Sequence, residues 1–473
     1  MVQVSGSRFK LLYSNWYEID NLRFPISNGL HSEVVDWIKK TITEKNLRHF
    51  NEDFLTIREI DDQFLYHAPD SGYWFRISNF YYHFCKNYGK DNIVYEDNIT
   101  EDDCYYYPIE IECNPLTYLI EEKTFVKNGR AIDYKFEKTL SPRILQGLRQ
   151  GKIKLLFANM IDPGIEPGIL LDLENSLSKY DIPSSSIVFL QGNSRPEFYT
   201  LSPTSQLTML DGCISLYQMA NEKDQYPRMT QIGVIGDYVR ISDLNEDVKR
   251  NKKFLSFNRF CNRPHRLGIL YSALKYDLLK DGYFSFLFIE DYNVEDFLKI
   301  IVPEEPDLNH YIEQIKQLVP YELDTQHYSP QERITFFTPD CNNKTHYIDS
   351  YLHITSETQF NTSGTPFMSE KTWRPILNLQ PFIYVGNHLA LNMLHELGFK
   401  TFHPFIDESY DKEENTAKRW QLVEREISKF SQMTIEDIHN WYYSIKDILI
   451  YNQEQLFKYA NHNPIENIFK DQN

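Results

Sequence analysis

Two short basic segments in the second half of the chain carry residues whose types and spacing suit phosphate binding. The first segment runs from Asn258 to Arg266 and includes Arg259, Arg263 and Pro264. Proline fits the first position of a helix, where its missing N–H has no partner to lose. Arg263 and Arg266 are three residues apart, so they share one side of the helix start. Guanidinium groups beside free backbone N–H groups predict a pyrophosphate site; the alternative is a solvated basic turn.

The second segment is Ser369-Glu370-Lys371, with Arg374 one turn further on. Ser369 is predicted to cap a helix, and a carboxylate such as Glu370 in the first turn agrees with the helix dipole. Lys371 does not agree with it, because a cation at a helix N-terminus is unfavourable unless an anion shares the site. We therefore expect Lys371 to face phosphate and Glu370 to accept hydrogen bonds from ribose hydroxyls. The alternative is that Glu370 only caps the helix.

The elements that must position these segments form an α/β pattern. Strands are predicted at 153–158, 186–193, 254–258, 284–288, 347–355 and 381–386, with helices at 169–179, 264–275, 370–379 and 389–397. Such units imply parallel sheets, whose ligands bind at the carboxyl ends of the strands. The loop after the strand at 153–158 is such a place. Its Asp162 and Glu166 are the candidate catalytic bases, and either carboxylate also suits a turn.

Length and pattern together predict two sequential α/β domains. With 473 residues the chain is too long for one ordinary core. Residues 1–145 are irregular in pattern and 150–240 are Rossmann-like, which gives an N-terminal domain over 1–245. The charged stretch 243–253 suits an exposed crossover. A second Rossmann-like domain then covers 246–473 and ends in a helical tail from about 415 to 459.

Composition argues against several classes of protein. Lys and Arg number 49 and Asp and Glu 67, so the formal net charge is −18. A surface this acidic repels duplex DNA and anionic membranes. The six cysteines include no Cys-x-x-Cys pair, so neither a zinc site nor a redox pair is indicated. No segment resembles a signal peptide or has the roughly 18 to 20 apolar residues of a membrane span, so we expect a cytoplasmic protein.

The motifs of several common enzymes do not occur in the chain. It has no Gly-x-x-x-x-Gly-Lys-Ser/Thr, Gly-x-Gly-x-x-Gly, Gly-x-Ser-x-Gly or His-Glu-x-x-His, which argues against the commonest NTPases, dehydrogenases, serine hydrolases and metalloproteases. It also has no Asp-x-Asp pair for a divalent cation, so we expect no metal and assign phosphate neutralisation to Arg and Lys. The acidic residues of 398–411 lack the spacing of a calcium loop and suggest a solvated turn.

Residues 367–376 contain Ser369-Glu370-Lys371 and Arg374. Together with the strand 381–386, they resemble the donor-binding motif of α-1,3-fucosyltransferases. That motif is a Thr/Ser-Glu-Lys-x-x-Arg helix before a Pro-containing strand. Residues 250–455 also look similar to a group of glycosyltransferases inferred from bacteriophage and marine bacterial genomes. The resemblance implies a metal-independent GT-B architecture, in which two domains face a cleft and the N-terminal one, 1–245, lies on the acceptor side. The C-terminal domain would hold a nucleotide-sugar, with Glu370 on the ribose and Lys371 and Arg266 on the diphosphate. Fucose is not implied, because the longer stretch that precedes the fucosyltransferase motif is missing here.

These observations predict a glycosyltransferase that moves a sugar from a nucleotide-sugar to an acceptor hydroxyl without a further cofactor. An inverting reaction is favoured, and a retaining reaction is the alternative. Its partners would be the nucleotide-sugar and an acceptor glycan or modified nucleobase; the oligomeric state stays open. One alternative is a phage DNA glycosyltransferase acting on a hydroxymethylated base, which the negative charge disfavours. Another is a catalytically inactive GT-B-like binding module. The predicted donor-binding residues are Asn258, Arg259, Arg263, Arg266, Ser369, Glu370, Lys371 and Arg374.

Overall fold

The structure is a computed structural model in which two parallel sheets are each accompanied by helices, so the predicted α/β class is confirmed. The residues it describes are 9–13, 16–19, 22–25, 93–95, 104–110, 120, 124–127, 130–133, 140, 142–159, 168–191, 199–211, 238–261, 263–288, 294–321, 344–360, 366 and 368–460. Within these ranges, no helix has both the length and the apolar character needed to cross a bilayer.

The elements are numbered here along the chain. The strands are β1 (Phe9–Tyr13), β2 (Trp16–Ile19), β3 (Leu22–Pro25), β4 (Ile93–Tyr95), β5 (Cys104–Glu110), β6 (Thr124–Lys127), β7 (Arg130–Asp133), β8 (Ile153–Asn159), β9 (Ile187–Gln191), β10 (Thr208–Asp211), β11 (Lys252–Phe260), β12 (Gly282–Phe288), β13 (Ser350–Ser356) and β14 (Phe382–Val385). The helices are α1 (Pro142–Arg149), α2 (Ile169–Ser178), α3 (Pro264–Lys275), α4 (Val294–Ile301), α5 (Leu308–Leu318), α6 (Lys344–Ile348), α7 (Glu370–Leu377), α8 (Ala390–Glu396), α9 (Thr416–Gln432), α10 (Ile435–Ser444) and α11 (Lys446–Ala460).

The first sheet has six parallel strands in the order β10-β9-β8-β5-β1-β4. Strands β8 and β9 lie where the sequence predicts them, with α2 between them. Strands β1, β4 and β5 come from residues 1–145, whose pattern suggested an irregular segment, so the parallel sheet is not confined to 150–240. The pattern is uninformative there because β4 has three residues and β5 begins with Cys104 and a run of three tyrosines. All three tyrosines are nevertheless buried.

The second sheet has four parallel strands in the order β12-β11-β13-β14. All seven residues of β13 and all four of β14 are buried. Such continuous burial is expected of parallel strands covered on both faces. The predicted strand at 347–355 begins later than expected, because Lys344–Ile348 forms α6 and β13 starts only at Ser350. The other predicted strands and helices of this unit are confirmed.

Two hydrophobic cores lie in the described part of the chain. The first is built from residues between Tyr105 and Leu207, and the second from residues between Val239 and Leu456. The expected helical tail consists of α9, α10 and α11, and all three contribute to the second core. Val239 belongs to that core as well, and its backbone N–H donates to Asn378 Oδ1 at 3.1 Å. At least one residue before 245 therefore packs in the second core. The predicted domain boundary at 245/246 stays a prediction.

Close packing between α3 and its neighbours generates the first testable prediction. A Cβ added at Gly268 would lie 2.6 Å from Ile301 Cδ1 and 2.6 Å from Trp420 Cζ2. Overpacking costs roughly 1–3 kcal/mol, and the better helix propensity of alanine offsets up to about 1 kcal/mol of it. We expect Gly268→Ala to lower the free energy of unfolding by roughly 0.5–2 kcal/mol in urea denaturation followed by tryptophan fluorescence.

The matched control is Gly168→Ala, because a Cβ at Gly168 meets no atom of the described residues within 4 Å. This variant is expected to leave the urea midpoint nearly unchanged. An unchanged midpoint for Gly268→Ala as well would contradict the close approach of α3 to the Trp420 ring.

Candidate functional site

The two basic segments meet at the carboxyl edge of the second sheet. Helix α3 starts just after β11, and α7 precedes β14 in the chain. Glu357 is the first residue after β13, and its backbone N–H donates to the Val385 carbonyl at 2.9 Å, which continues the pairing of β13 with β14. Its exposure is 0%, so its carboxylate has no access to water. Such a group must find its hydrogen-bond donors inside the protein.

The Glu357 carboxylate takes three hydrogen bonds from the start of α7. Its Oε1 accepts from the Ser369 backbone N–H at 2.9 Å and from Thr372 Oγ1 at 2.5 Å. Its Oε2 accepts from Ser369 Oγ at 2.6 Å. Hydrogen bonds to an ionised acceptor are shorter and stronger than neutral ones. Glu357 therefore fastens the first turn of α7 to the end of β13.

The backbone carbonyl of the same residue faces the start of α3. It accepts from His265 Nε2 at 2.7 Å, and Arg266 Nη2 lies 3.4 Å away. His265 and Arg266 are the second and third residues of α3, and both are buried. One residue thus contacts the helix starts of both basic segments.

Ser369 is the N-cap of α7, as the sequence predicts, and its Oγ accepts from the Lys371 backbone N–H at 3.3 Å. The Lys371 ammonium also contacts this oxygen, with Nζ 3.2 Å from Ser369 Oγ. A cation therefore lies beside the start of its own helix, as the sequence indicates. The Glu357 carboxylate lies on the other side of the Ser369 hydroxyl.

Three further predicted donor-binding residues lie in the same unit. Arg263 is the N-cap of α3 with an exposed side chain, and it precedes Pro264 at the first helical position, as expected. Asn258 is buried, and its Nδ2 donates to Ser256 Oγ at 3.2 Å. Its Oδ1 has no hydrogen-bond partner among the described residues. Arg374 is partly buried in α7.

Four other predicted site residues cannot be placed by contacts. The side chains of Arg259 and Glu370 lie outside the described part of the structure, and so do Asp162 and Glu166 as whole residues. Their assigned roles, donor binding for the first two and base catalysis for the others, stay predictions.

The Phe360 ring lies between His265 and Arg419, and it connects the site to the C-terminal helix α9. The Phe360 ring stacks on His265 with ring centroids 5.6 Å apart, and the Arg419 guanidinium lies 4.7 Å from the Phe360 centroid. Arg419 belongs to α9, is fully buried, and donates from Nη2 to the Gly386 carbonyl just after β14. Helix α9 is thereby joined to the carboxyl edge of the sheet.

Burial and, next, the nearby Arg266 lower the pKa of His265 to about 3. The imidazole is therefore neutral near pH 7, and its Nε2–H can donate to the Glu357 carbonyl. The ring is a fixed neutral donor in this arrangement.

The sequence interpretation missed Glu357, His265 and Arg419 as parts of this site. A signal for Glu357 existed, because it is a carboxylate directly after a buried strand, at the edge where ligands bind. His265 lies inside the first basic segment but has no distinctive spacing. Arg419 follows a helix start without any local sign that it reaches β14.

The acidic loop at 398–411 differs from the expected solvated turn. Asp411 is buried and accepts from the backbone N–H groups of Leu391 and Asn392 at 3.0 and 3.2 Å, which caps α8. Glu408 accepts from Thr401 Oγ1 at 2.6 Å and from the Phe402 N–H at 2.8 Å. Burial raises the pKa of both carboxyl groups. The loop is structural, and no group of three potential metal-ligating side chains occurs among the residues described.

Comparison with known proteins finds only distant structural similarity. No protein-family model matches the chain, and no curated protein matches its sequence. The α,α-trehalose-phosphate synthase (UDP-forming) of Burkholderia vietnamiensis is 9% identical with a TM-score of 0.31, over 77% of this chain and 72% of that one. The N-terminal domain of Candida albicans trehalose-6-phosphate phosphatase is 8% identical with a TM-score of 0.37, over 100% and 99%. A glycosyltransferase from Rickettsia africae is 10% identical with a TM-score of 0.26, over 97% and 100%.

Two buried histidines of this unit, His265 and His353, predict a loss of stability in acid. Burial lowers the pKa of His353 to about 3, with Arg374 adding to the effect, as Arg266 does for His265. The unfolded chain takes up these protons near pH 6.5, whereas the folded protein does not until about pH 3. Each histidine therefore contributes stability that is present above pH 6.5 and falls by roughly 2 kcal/mol between pH 7.5 and 5.

The variant that tests this is His353→Asn, which keeps a polar atom near Thr355 Oγ1, the partner of His353 Nδ1 at 2.8 Å. Urea denaturation at pH 7.5 and pH 5 should show the variant losing roughly 2 kcal/mol less than the wild type. Carboxyl groups titrate alike in both proteins and cancel in this difference. Equal losses would mean that His353 is protonated in the folded protein.

Proposed function

We propose that this chain transfers a sugar from a nucleotide-sugar to an acceptor hydroxyl, and that its second unit holds the donor diphosphate. The observation that carries the proposal is the meeting of two helix starts, with Arg266 and Lys371, around Glu357. Helix N-termini and cationic side chains together favour phosphate. The carboxyl edge of a parallel sheet is also where nucleotide ligands commonly bind.

The residues of the two segments take complementary roles in this proposal. Lys371, Arg266 and Arg263 neutralise the diphosphate, and Glu370 accepts from the ribose hydroxyls. The buried Asn258 Oδ1, without a hydrogen-bond partner in the described residues, is suited to accept from an N–H or O–H of the nucleoside. Ser369 caps the start of α7, while Arg259 and Arg374 add further positive charge around the diphosphate.

The proposed reaction is a direct displacement that inverts the anomeric centre. The acceptor oxygen attacks the anomeric carbon, and the bond from that carbon to the diphosphate oxygen breaks. The nucleoside diphosphate leaves with the electron pair, and the cationic groups stabilise its charge. A carboxylate of the first unit, Asp162 or Glu166, takes the proton of the acceptor hydroxyl.

Metal independence is part of the proposal, since the sequence has no Asp-x-Asp pair and offers arginine and lysine beside the helix starts. Thermal shift and donor hydrolysis should be measured with a panel of UDP-, GDP-, ADP- and dTDP-sugars in the presence of EDTA. We expect at least one donor to raise the melting temperature and to be hydrolysed slowly, because the phosphate charge is neutralised by side chains.

Each departure from that result has a distinct meaning. If no donor produces a response, the proposed glycosyltransferase activity is contradicted. A response that needs added Mg²⁺ or Mn²⁺ contradicts metal independence. Binding without hydrolysis or transfer favours a non-catalytic binding module.

Lys371→Ala tests the proposed phosphate contact directly. Loss of one charge-assisted contact should weaken binding of the responding nucleotide-sugar by about 1.5–3 kcal/mol, measured by isothermal titration calorimetry. The matched control is Lys280→Ala, because Lys280 is exposed and comes just before β12, at the opposite, amino edge of the sheet. An unchanged affinity for Lys371→Ala would remove this lysine from the site.

A further inference from the structure

We infer that Glu357 is a positioning residue for the donor diphosphate, which acts by setting the place of Lys371 through Ser369 and by joining α7 to α3. The inference rests on the proposed function, because it concerns the same phosphate site. Glu357 itself has an exposure of 0%, and its carboxylate accepts three hydrogen bonds from Ser369 and Thr372. It therefore acts on the diphosphate through its neighbours.

The first step is the hydrogen-bond direction at the Ser369 hydroxyl. This group has a single proton, which it donates to Glu357 Oε2 at 2.6 Å. Its lone pairs are then available to the Lys371 backbone N–H at 3.3 Å and to the Lys371 ammonium at 3.2 Å. A hydroxyl that gives its proton to a carboxylate is a better acceptor for a cation. The hydrogen bond from the Ser369 hydroxyl to the Glu357 carboxylate therefore determines where the Lys371 ammonium is held.

The second step is the connection between the two helix starts. Glu357 Oε1 accepts from Ser369 and Thr372, which are 12 and 15 positions further along the chain. Its carbonyl accepts from His265, 92 positions earlier, with Arg266 beside it. Both helix starts are therefore located relative to one residue at the end of β13. The spacing of Arg266 and Lys371, which a diphosphate must match, depends on it.

The third step is the sign of the effect, which separates positioning from plain electrostatics. Removal of a buried negative charge close to two cations should strengthen their attraction for an anion. If Glu357 acted only through its charge, its neutralisation would tighten diphosphate binding. If it positions the cations, neutralisation weakens binding in spite of that gain.

Glu357→Gln is the informative substitution because it preserves side-chain volume. The amide oxygen can still accept from the Ser369 N–H and Thr372 Oγ1. The amide nitrogen, however, can only donate, so the Ser369 hydroxyl must become its acceptor. Ser369 Oγ then accepts from the amide nitrogen as well as from Lys371, and the Ser369 hydroxyl proton no longer has a carboxylate to donate to. We expect the Lys371 ammonium to leave its place.

The test is a double-mutant cycle with UDP, GDP, ADP and dTDP as probes, measured by isothermal titration calorimetry. We expect Glu357→Gln to weaken binding of the recognised diphosphate by roughly 10-fold or more, the scale of one lost charge-assisted contact. In the Lys371→Met background the same change should have an effect below about 2-fold, because the residue through which it acts is gone.

The matched control is Glu424→Gln. Glu424 is also a mostly buried carboxylate of this unit, which accepts from Tyr276 Oη at 2.9 Å, away from the two helix starts. Its substitution is expected to leave diphosphate affinity unchanged. Circular dichroism and urea denaturation of every variant establish that the fold is retained.

Several results would overturn the inference. Unchanged or tighter binding by Glu357→Gln contradicts positioning while leaving the proposed function intact. Equal fold-changes in the wild-type and Lys371→Met backgrounds show that Glu357 does not act through Lys371, and they overturn it too. Failure of the wild type to bind any of the four diphosphates removes the proposed function and this inference together.

If Glu357→Gln does not fold, Ser369→Ala takes its place in the cycle. This change removes the hydroxyl between Glu357 and Lys371 but keeps the bonds of the carboxylate to the Ser369 N–H and Thr372. Its effect on diphosphate affinity should likewise disappear in the Lys371→Met background. Additive effects would overturn the inference.

Discussion

A carboxylate shielded from water is stable only where hydrogen-bond donors and positive charge replace its hydration. Glu357 meets this condition with three donors from the start of α7, and its carbonyl receives the start of α3. Each helix start carries partial positive charge, to which Arg266 and Lys371 add full charges. Two such groups repel one another unless they share an anionic partner. The arrangement of the candidate site therefore depends on this one buried charge.

The same constraint explains why the C-terminal helices belong to the site. Arg419 of α9 donates to the carbonyl that follows β14, and its guanidinium lies over the Phe360 ring, which also stacks on His265. The adjacent Trp420 packs against α3 at Gly268. Helix α9 thus fixes both the sheet edge and the helix that presents Arg266. What looks along the chain like a helical tail is structurally a support for the candidate site.

Most elements of the second unit follow from local rules. Strands β12 and β14 are short apolar runs. Helix α3 starts at Pro264 and α7 follows its N-cap Ser369, as helix-start preferences predict. The rules fail where local pattern and tertiary context disagree. Tyr347 and Ile348 are predicted to begin a strand but belong to α6, and the tyrosine run of β5 reads as irregular but is buried in the first sheet.

Side-chain type and spacing within a few residues thus sufficed to find the two basic segments, the capping serine and the lysine at an electrostatically unfavourable helix position. These are properties of a single turn of chain, so they can be predicted without a fold. The choice of Glu357 as the shared partner could not be predicted in this way. It requires contacts across 12 positions to Ser369 and 92 to His265, and support across 33 positions from Arg419 to Gly386. Such contacts exist only when parallel strands bring distant segments to one edge of a sheet, because nothing in local periodicity records which segments will meet there.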